Sequence, residues 1–147
     1  MSTLILAPSG RIAQIDSSGA TMRFSRVWFS IAGWWGMVSL TPLFFLYNLV
    51  GSKNPPPITH PEYYFGFLCV ALAWQIAFLL IARDPAKYRI MMLPAMVEKF
   101  GYAISCFILA AKHMAAGTTA VFGKLDLVLG IGFFVAWRAT RSSSSAR

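Results

Sequence analysis

Five polar or ionisable side chains stand inside stretches that are otherwise apolar: Gln75, Glu98, Lys99, Lys124 and Asp126. Placing such a group in hydrocarbon costs about 2.5–3.5 kcal/mol on insertion scales, so each needs a partner or a task. Two carboxyls, two amines and an amide can build a proton site, a headgroup site or an internal ion-pair network. At 1.5 Å of helix per residue, Gln75 and Glu98 both lie roughly 10–12 Å from the same end of their helices, and Asp126 roughly 16 Å. Gln75 and Glu98 are thus level on antiparallel neighbours, which predicts a direct hydrogen bond. Glu98, Tyr102 and Ser105 follow i, i+4, i+7 spacing and form one stripe. The candidate pocket is therefore Gln75, Glu98, Tyr102, Ser105 and Asp126.

In that pocket a protonated Glu98 would serve as an acid, or the two carboxyls would hold a cationic or polar headgroup. Two plainer readings stand beside it. Glu98, Asp126, Lys99 and Lys124 would form a neutral set, two acids with two bases, that fixes helix register. Lys124 is also close enough to the surface to extend its amine into water. Alternatively, a third span that begins at Pro94 would leave Glu98 and Lys99 in its first turns, at the membrane interface.

The elements that must position these residues are four long apolar stretches: Val27–Val50, Tyr63–Ala82, Ile90–Ala111 and Thr119–Trp137. Crossing a bilayer core of about 30 Å takes roughly 20 apolar residues, and all four qualify. A hydrophobic content of 57% with only 12% charged residues places the chain outside the range of soluble domains. The predicted architecture is all-α, a four-pass transmembrane helix bundle. It divides into a flexible tail over 1–26, a membrane domain over 27–138 and a Ser-rich tail over 139–147. The spans are about 27–50, 63–82, 90–111 and 119–137. No internal repeat stands out.

The net charge of +8 would suit nucleic acid, but the positions of the bases argue otherwise. Arg11, Arg23 and Arg26 precede the first span, Arg83, Lys87 and Arg89 separate the second and third, and Arg138, Arg141 and Arg147 follow the fourth. Those segments share one side of a four-pass protein. The other side offers Lys53 and Lys112, with Lys124 just inside the fourth span. The positive-inside rule then puts both termini in the cytoplasm, with the bases near anionic headgroups. The expected partners are membrane lipids, within a homo-oligomer or a larger membrane complex, and no nucleic acid. The first 25 residues have no basic n-region and no long apolar h-region, so span one is expected to act as its own uncleaved insertion signal.

Between spans one and two, Pro55–Pro57 predict an extended polyproline segment, and Tyr63 and Tyr64 open the second span at headgroup level. Arg83–Arg89 reads as a tight turn that makes spans two and three an antiparallel hairpin. Pro42 predicts a kink in span one, and Pro94 a kink or a delayed helix start. Ala32 and Gly36 have the small-xxx-small spacing of close helix contacts.

Other chemistry is excluded or weakly supported. Cys69 and Cys106 are no CxxC pair, which removes a dithiol redox site, and they read as packed free thiols. His60, Glu62 and His113 are metal-ligating types without a spacing motif, so no metal site is assigned. HExxH, GxSxG and phosphate-binding loops are absent from the sequence. No cofactor is called for, and the catalytic residues of any enzyme reading are unknown.

The closing helix Asp126-Leu-Val-Leu-Gly-Ile-Gly-Phe-Phe-Val-Ala-Trp137 and the four spans resemble the small bacterial four-helix inner-membrane proteins of the DoxX-like group. That resemblance implies the bacterial inner membrane and, for some relatives, accessory roles beside quinone-linked oxidoreductases. It carries over no functional residue. The reading at this level is a non-enzymatic accessory or small lipophilic-ligand-binding protein. The rivals are a membrane-embedded isomerase with Glu98 and Asp126 as acid and base, and an oligomeric proton-coupled transporter using the same pair.

Overall fold

Long runs of apolar side chains leave the backbone one economical solution in lipid, which is to satisfy its own hydrogen bonds along a helix. A computed structural model describes residues 9–53, 57–115 and 117–144, and for 9–18 and 141–144 the helical backbone alone. Five helices form: α1 (Ser9–Leu40), the short α2 (Tyr47–Lys53), α3 (Pro61–Arg83), α4 (Met92–Ala111) and α5 (Gly117–Ser144). No strand occurs among the described residues. Four segments are long and apolar enough to cross a membrane: Gly19–Phe44, Pro61–Arg83, Arg89–Ala111 and Gly117–Thr140. The chain is an all-helical bundle with the make-up of an integral membrane protein. Large apolar side chains such as Val38, Val70, Val97 and Val128 point outward from all four, where lipid would cover them.

The ends of the chain differ from expectation. Residues 9–26 continue α1 instead of forming a flexible tail, and α5 runs on to Ser144. Within 9–26 only Gly10 and Gly19 disfavour helix strongly, and no Pro intervenes. The first span ends earlier than Val50. Pro42 has no N–H for an α-helical bond, so the chain tightens into a 3-10 turn over Thr41–Phe44 and breaks before α2. The helix break therefore takes the place of a kink. Pro94 is accommodated in the first turn of α4, where its missing N–H costs nothing, and a 3-10 turn over Arg89–Met91 leads in. Most of the predicted polyproline segment lies outside the described residues.

The helices pair as α3 on α1, α1 on α5, and α5 on α4. The turn before α4 is tight, closed by Asp84 Oδ1 accepting from the Lys87 amide at 3.1 Å. Even so, α3 and α4 barely touch along their lengths. The hairpin exists in sequence and not in packing.

Two close approaches explain the pairing. A methyl group at Gly36 of α1 would overlap the Gln75 side chain of α3, so glycine makes the room that this side chain occupies. A methyl group at Gly132 of α5 would overlap the Trp28 indole of α1, whose Nε1 donates to Leu129 O at 3.2 Å.

The dry core sits in the half of the bundle nearer the α3–α4 turn. Phe29 of α1 stacks on Phe133 of α5 with ring centroids 4.1 Å apart, and Phe78 of α3 meets Phe133 edge-on at 4.9 Å. Ala32, Ala95 and Ala136 fill the space between them. Offset and edge-to-face ring pairs add about 0.5–1.5 kcal/mol each to their burial.

Candidate functional site

The face that α4 turns inward is Met92, Ala95, Lys99, Ala103 and Cys106, spaced at three and four residues. Small residues above and below Lys99 let α5 approach closely, and the lysine is carried into the middle of the bundle. Its side chain is 7% exposed. Nζ lies 3.3 Å from both oxygens of Asp126, and 3.3 and 3.2 Å from Oε1 and Oε2 of Glu98. It also stands 5.4 Å from the centroid of the Phe78 ring, a cation–π distance. One ammonium thus holds two carboxylates, with Glu98 at 23% and Asp126 at 15% side-chain exposure.

These groups form one wall of a cavity of about 110 Å³ between the four long helices. Its lining runs from Gln75 and Lys99, beside the phenylalanine core, to Leu40 and Phe122 at the other end of the bundle. Gln75, Glu98, Tyr102 and Asp126 all contribute, and so does Lys99. Trp35, Phe67 and Phe122 complete the aromatic lining and are each about half exposed on the outer surface of the bundle. Phe67 stacks on Tyr102 at 6.4 Å and bridges the open α3–α4 seam.

Three expectations are corrected. Gln75 does not bond to Glu98; its Nε2 donates to Ala71 O at 2.9 Å, because α3 packs on α1 and leaves α4 out of reach. Ser105 does not join the pocket. Its hydroxyl donates to Gly101 O at 2.9 Å on an exposed face of α4. The Glu98–Tyr102–Ser105 stripe lies one residue round from the buried one, so it borders the seam and leaves the bundle by Ser105. Lys124 is exposed, so the neutral four-charge set does not form; the cluster has two acids and one base. Glu98 and Lys99 stand in the second turn of α4, near the middle of the Arg89–Ala111 span and away from its end.

The central place of Lys99 was the residue-level signal missed. Ala95, Lys99, Ala103 and Cys106 carry the small-residue spacing that marks the inward face, while the carboxylates drew attention to the neighbouring stripe.

The remaining candidates stay apart. His60 Nδ1 and Glu62 Oε1 pair at 3.2 Å at the exposed start of α3, and His113 follows α4 with a positive φ of 54°. No group of three metal-ligating side chains is gathered among the described residues. Cys69 and Cys106 are both free. Comparison of the chain with protein-family models, with curated proteins and with solved structures finds no match.

Proposed function

We propose that this is a four-pass membrane protein that binds a small lipophilic ligand between its helices, without itself catalysing a reaction. The observation that carries this is the cavity: beside the core packed around Phe29, Phe78 and Phe133 lies a space of about 110 Å³ that is polar on one wall. Pockets that take small molecules share this make-up, a mostly apolar lining with a few convergent polar groups. Half-exposed Trp35, Phe67 and Phe122 at its rim would meet lipid, which suits a ligand arriving from the bilayer. The basic segments favour cytoplasmic termini, and the DoxX-like resemblance favours the bacterial inner membrane. An accessory role in a homo-oligomer or larger complex is compatible with this reading.

Native mass spectrometry of the protein released from mild detergent tests the reading. A bound small molecule is expected, and Ala71→Leu, which fills the cavity from the α3 side, should remove it. Equal ligand mass on both proteins would refute a ligand in this cavity.

A second reading, an acid–base isomerase or proton-coupled transporter, draws on the two carboxylates. Against the isomerase, one ammonium engages both carboxylates, so the two share a single counter-charge and are not set apart as an acid and a base. The transporter keeps one supporting observation, the unequal count of two acids to one base.

A further inference from the structure

We propose that the ligand of this cavity is a small lipophilic amine, bound as its ammonium form on the Glu98–Asp126 wall. The proposal rests on the ligand-binding reading above and names the class of ligand.

Charge makes the first case. The ionisable groups of the wall, Glu98, Asp126 and Lys99, sum to one excess negative charge when all are ionised. Tyr102 and Gln75 add none, and Lys124 is exposed to the outside. In a lipid-enclosed bundle a buried charge is tolerated when it is paired and hydrogen-bonded. One more positive charge completes the pairing.

Hydrogen bonding makes the second case, independently of charge. An ammonium has three N–H donors, and Lys99 must spread its three over four carboxylate oxygens. Glu98 Oε2 is buried and receives no hydrogen bond, although Nζ is 3.2 Å away. The Gln75 amide gives its N–H to Ala71 O, and its carbonyl oxygen is a further acceptor in the lining. The wall is rich in acceptors and short of donors. A primary ammonium supplies donors and charge together, whereas an alcohol supplies one donor and a carboxylate none.

Shape and surface make the third. About 110 Å³ suits a short alkyl or ring body. Trp35, Phe67, Tyr102 and Phe122 offer aromatic faces that attract both the apolar body and the cationic head. Lys99 beside Phe78 is the built-in precedent for an ammonium on such a surface.

The test is titration calorimetry of the full chain in zwitterionic nanodiscs with hexylamine, hexanol and hexanoate, empty-disc heats subtracted. Hexylamine should bind at least tenfold more tightly than hexanol, and hexanoate should not bind. Glu98→Gln, nearly isosteric, should abolish the preference for hexylamine over hexanol; Asp126→Asn should do the same. Should either variant fail to fold, the wild-type ratio of amine to alcohol still decides. Equal binding of hexanol and hexylamine would overturn the amine and leave a neutral-ligand pocket standing. Heats no different from empty discs for all three probes would overturn both the amine and the pocket.

Discussion

Lys99 Nζ reaches from α4 across to α5 and stands 3.3 Å from each carboxylate oxygen of Asp126. The geometry fastens the bundle's α4–α5 pair at mid-span, where hydrocarbon would surround any unpaired charge. Glu98 joins from the next residue along α4. Adjacent residues on a helix do not face each other, so its carboxylate must bend round to the shared ammonium. The cluster is therefore held by one lysine.

Removing that lysine should be costly. Lys99→Met leaves two carboxylates without the only cation that pairs with them among the described residues, and breaking a buried pair from one side costs about 3–5 kcal/mol. The triple variant Lys99→Met, Glu98→Gln, Asp126→Asn removes all three charges and should recover most of the loss. Unfolding in a mixed-micelle denaturant series reads both. A single variant as stable as the parent would mean that the ion pairs contribute nothing to holding α4 on α5.

Gly36 should tolerate no larger side chain while Gln75 is present. Gly36→Leu forces the Gln75 amide out of its place, an overpacking worth about 1–3 kcal/mol. Gln75→Ala in the same chain vacates that space and should restore much of the stability. The melting temperatures of the single and double variants in detergent check this, and a double variant no better than the single would place the α1–α3 contact elsewhere.

The four apolar spans could be read from hydropathy because lipid imposes one strong rule on every span, whereas the short α2 could not. The Ala32–Gly36 spacing also marked a true contact, with Ala32 buried and Gly36 against Gln75. The partners of each helix were not legible. Gln75 and Glu98 are level and joined by a short turn, yet sequence order does not tell α3 whether to pack on α4 or on α1; the glycines at Gly33 and Gly36 decide it. The same gap hid Lys99. Nothing in its type distinguishes it from Lys124, and only the inward face shared with Ala95 and Ala103 separates a buried amine from an exposed one.

Phe133 should be the most sensitive apolar position of the dry half. It stacks on Phe29 at 4.1 Å and meets Phe78 at 4.9 Å, so Phe133→Ala opens a hole that three helices share. Such truncations cost about 3–5 kcal/mol. Val128→Ala, on the lipid-facing side of the same helix, should cost far less. Comparable losses at the two sites would mean that the phenylalanine cluster is not the core.

Orientation is the last prediction, and it decides which side of the membrane the hollow half faces. Nine bases lie in the N-terminal segment, around the α3–α4 turn or near the C-terminus, against Lys53, Lys112 and Lys124 towards the other end. The positive-inside rule places the larger group, and with it both termini, in the cytoplasm. The cavity lies in the half of the bundle towards Thr41–Phe44, on the opposite side from the α3–α4 turn. A ligand would then be taken from the outer leaflet. An alkaline phosphatase fusion after Arg147 should be inactive, and one after Met114, between α4 and α5, should be active. The reverse pattern would invert the protein and hand the cavity to the cytoplasmic leaflet. Activity at both sites or at neither would contradict a four-pass arrangement altogether, because the fourth span separates the two fusion points.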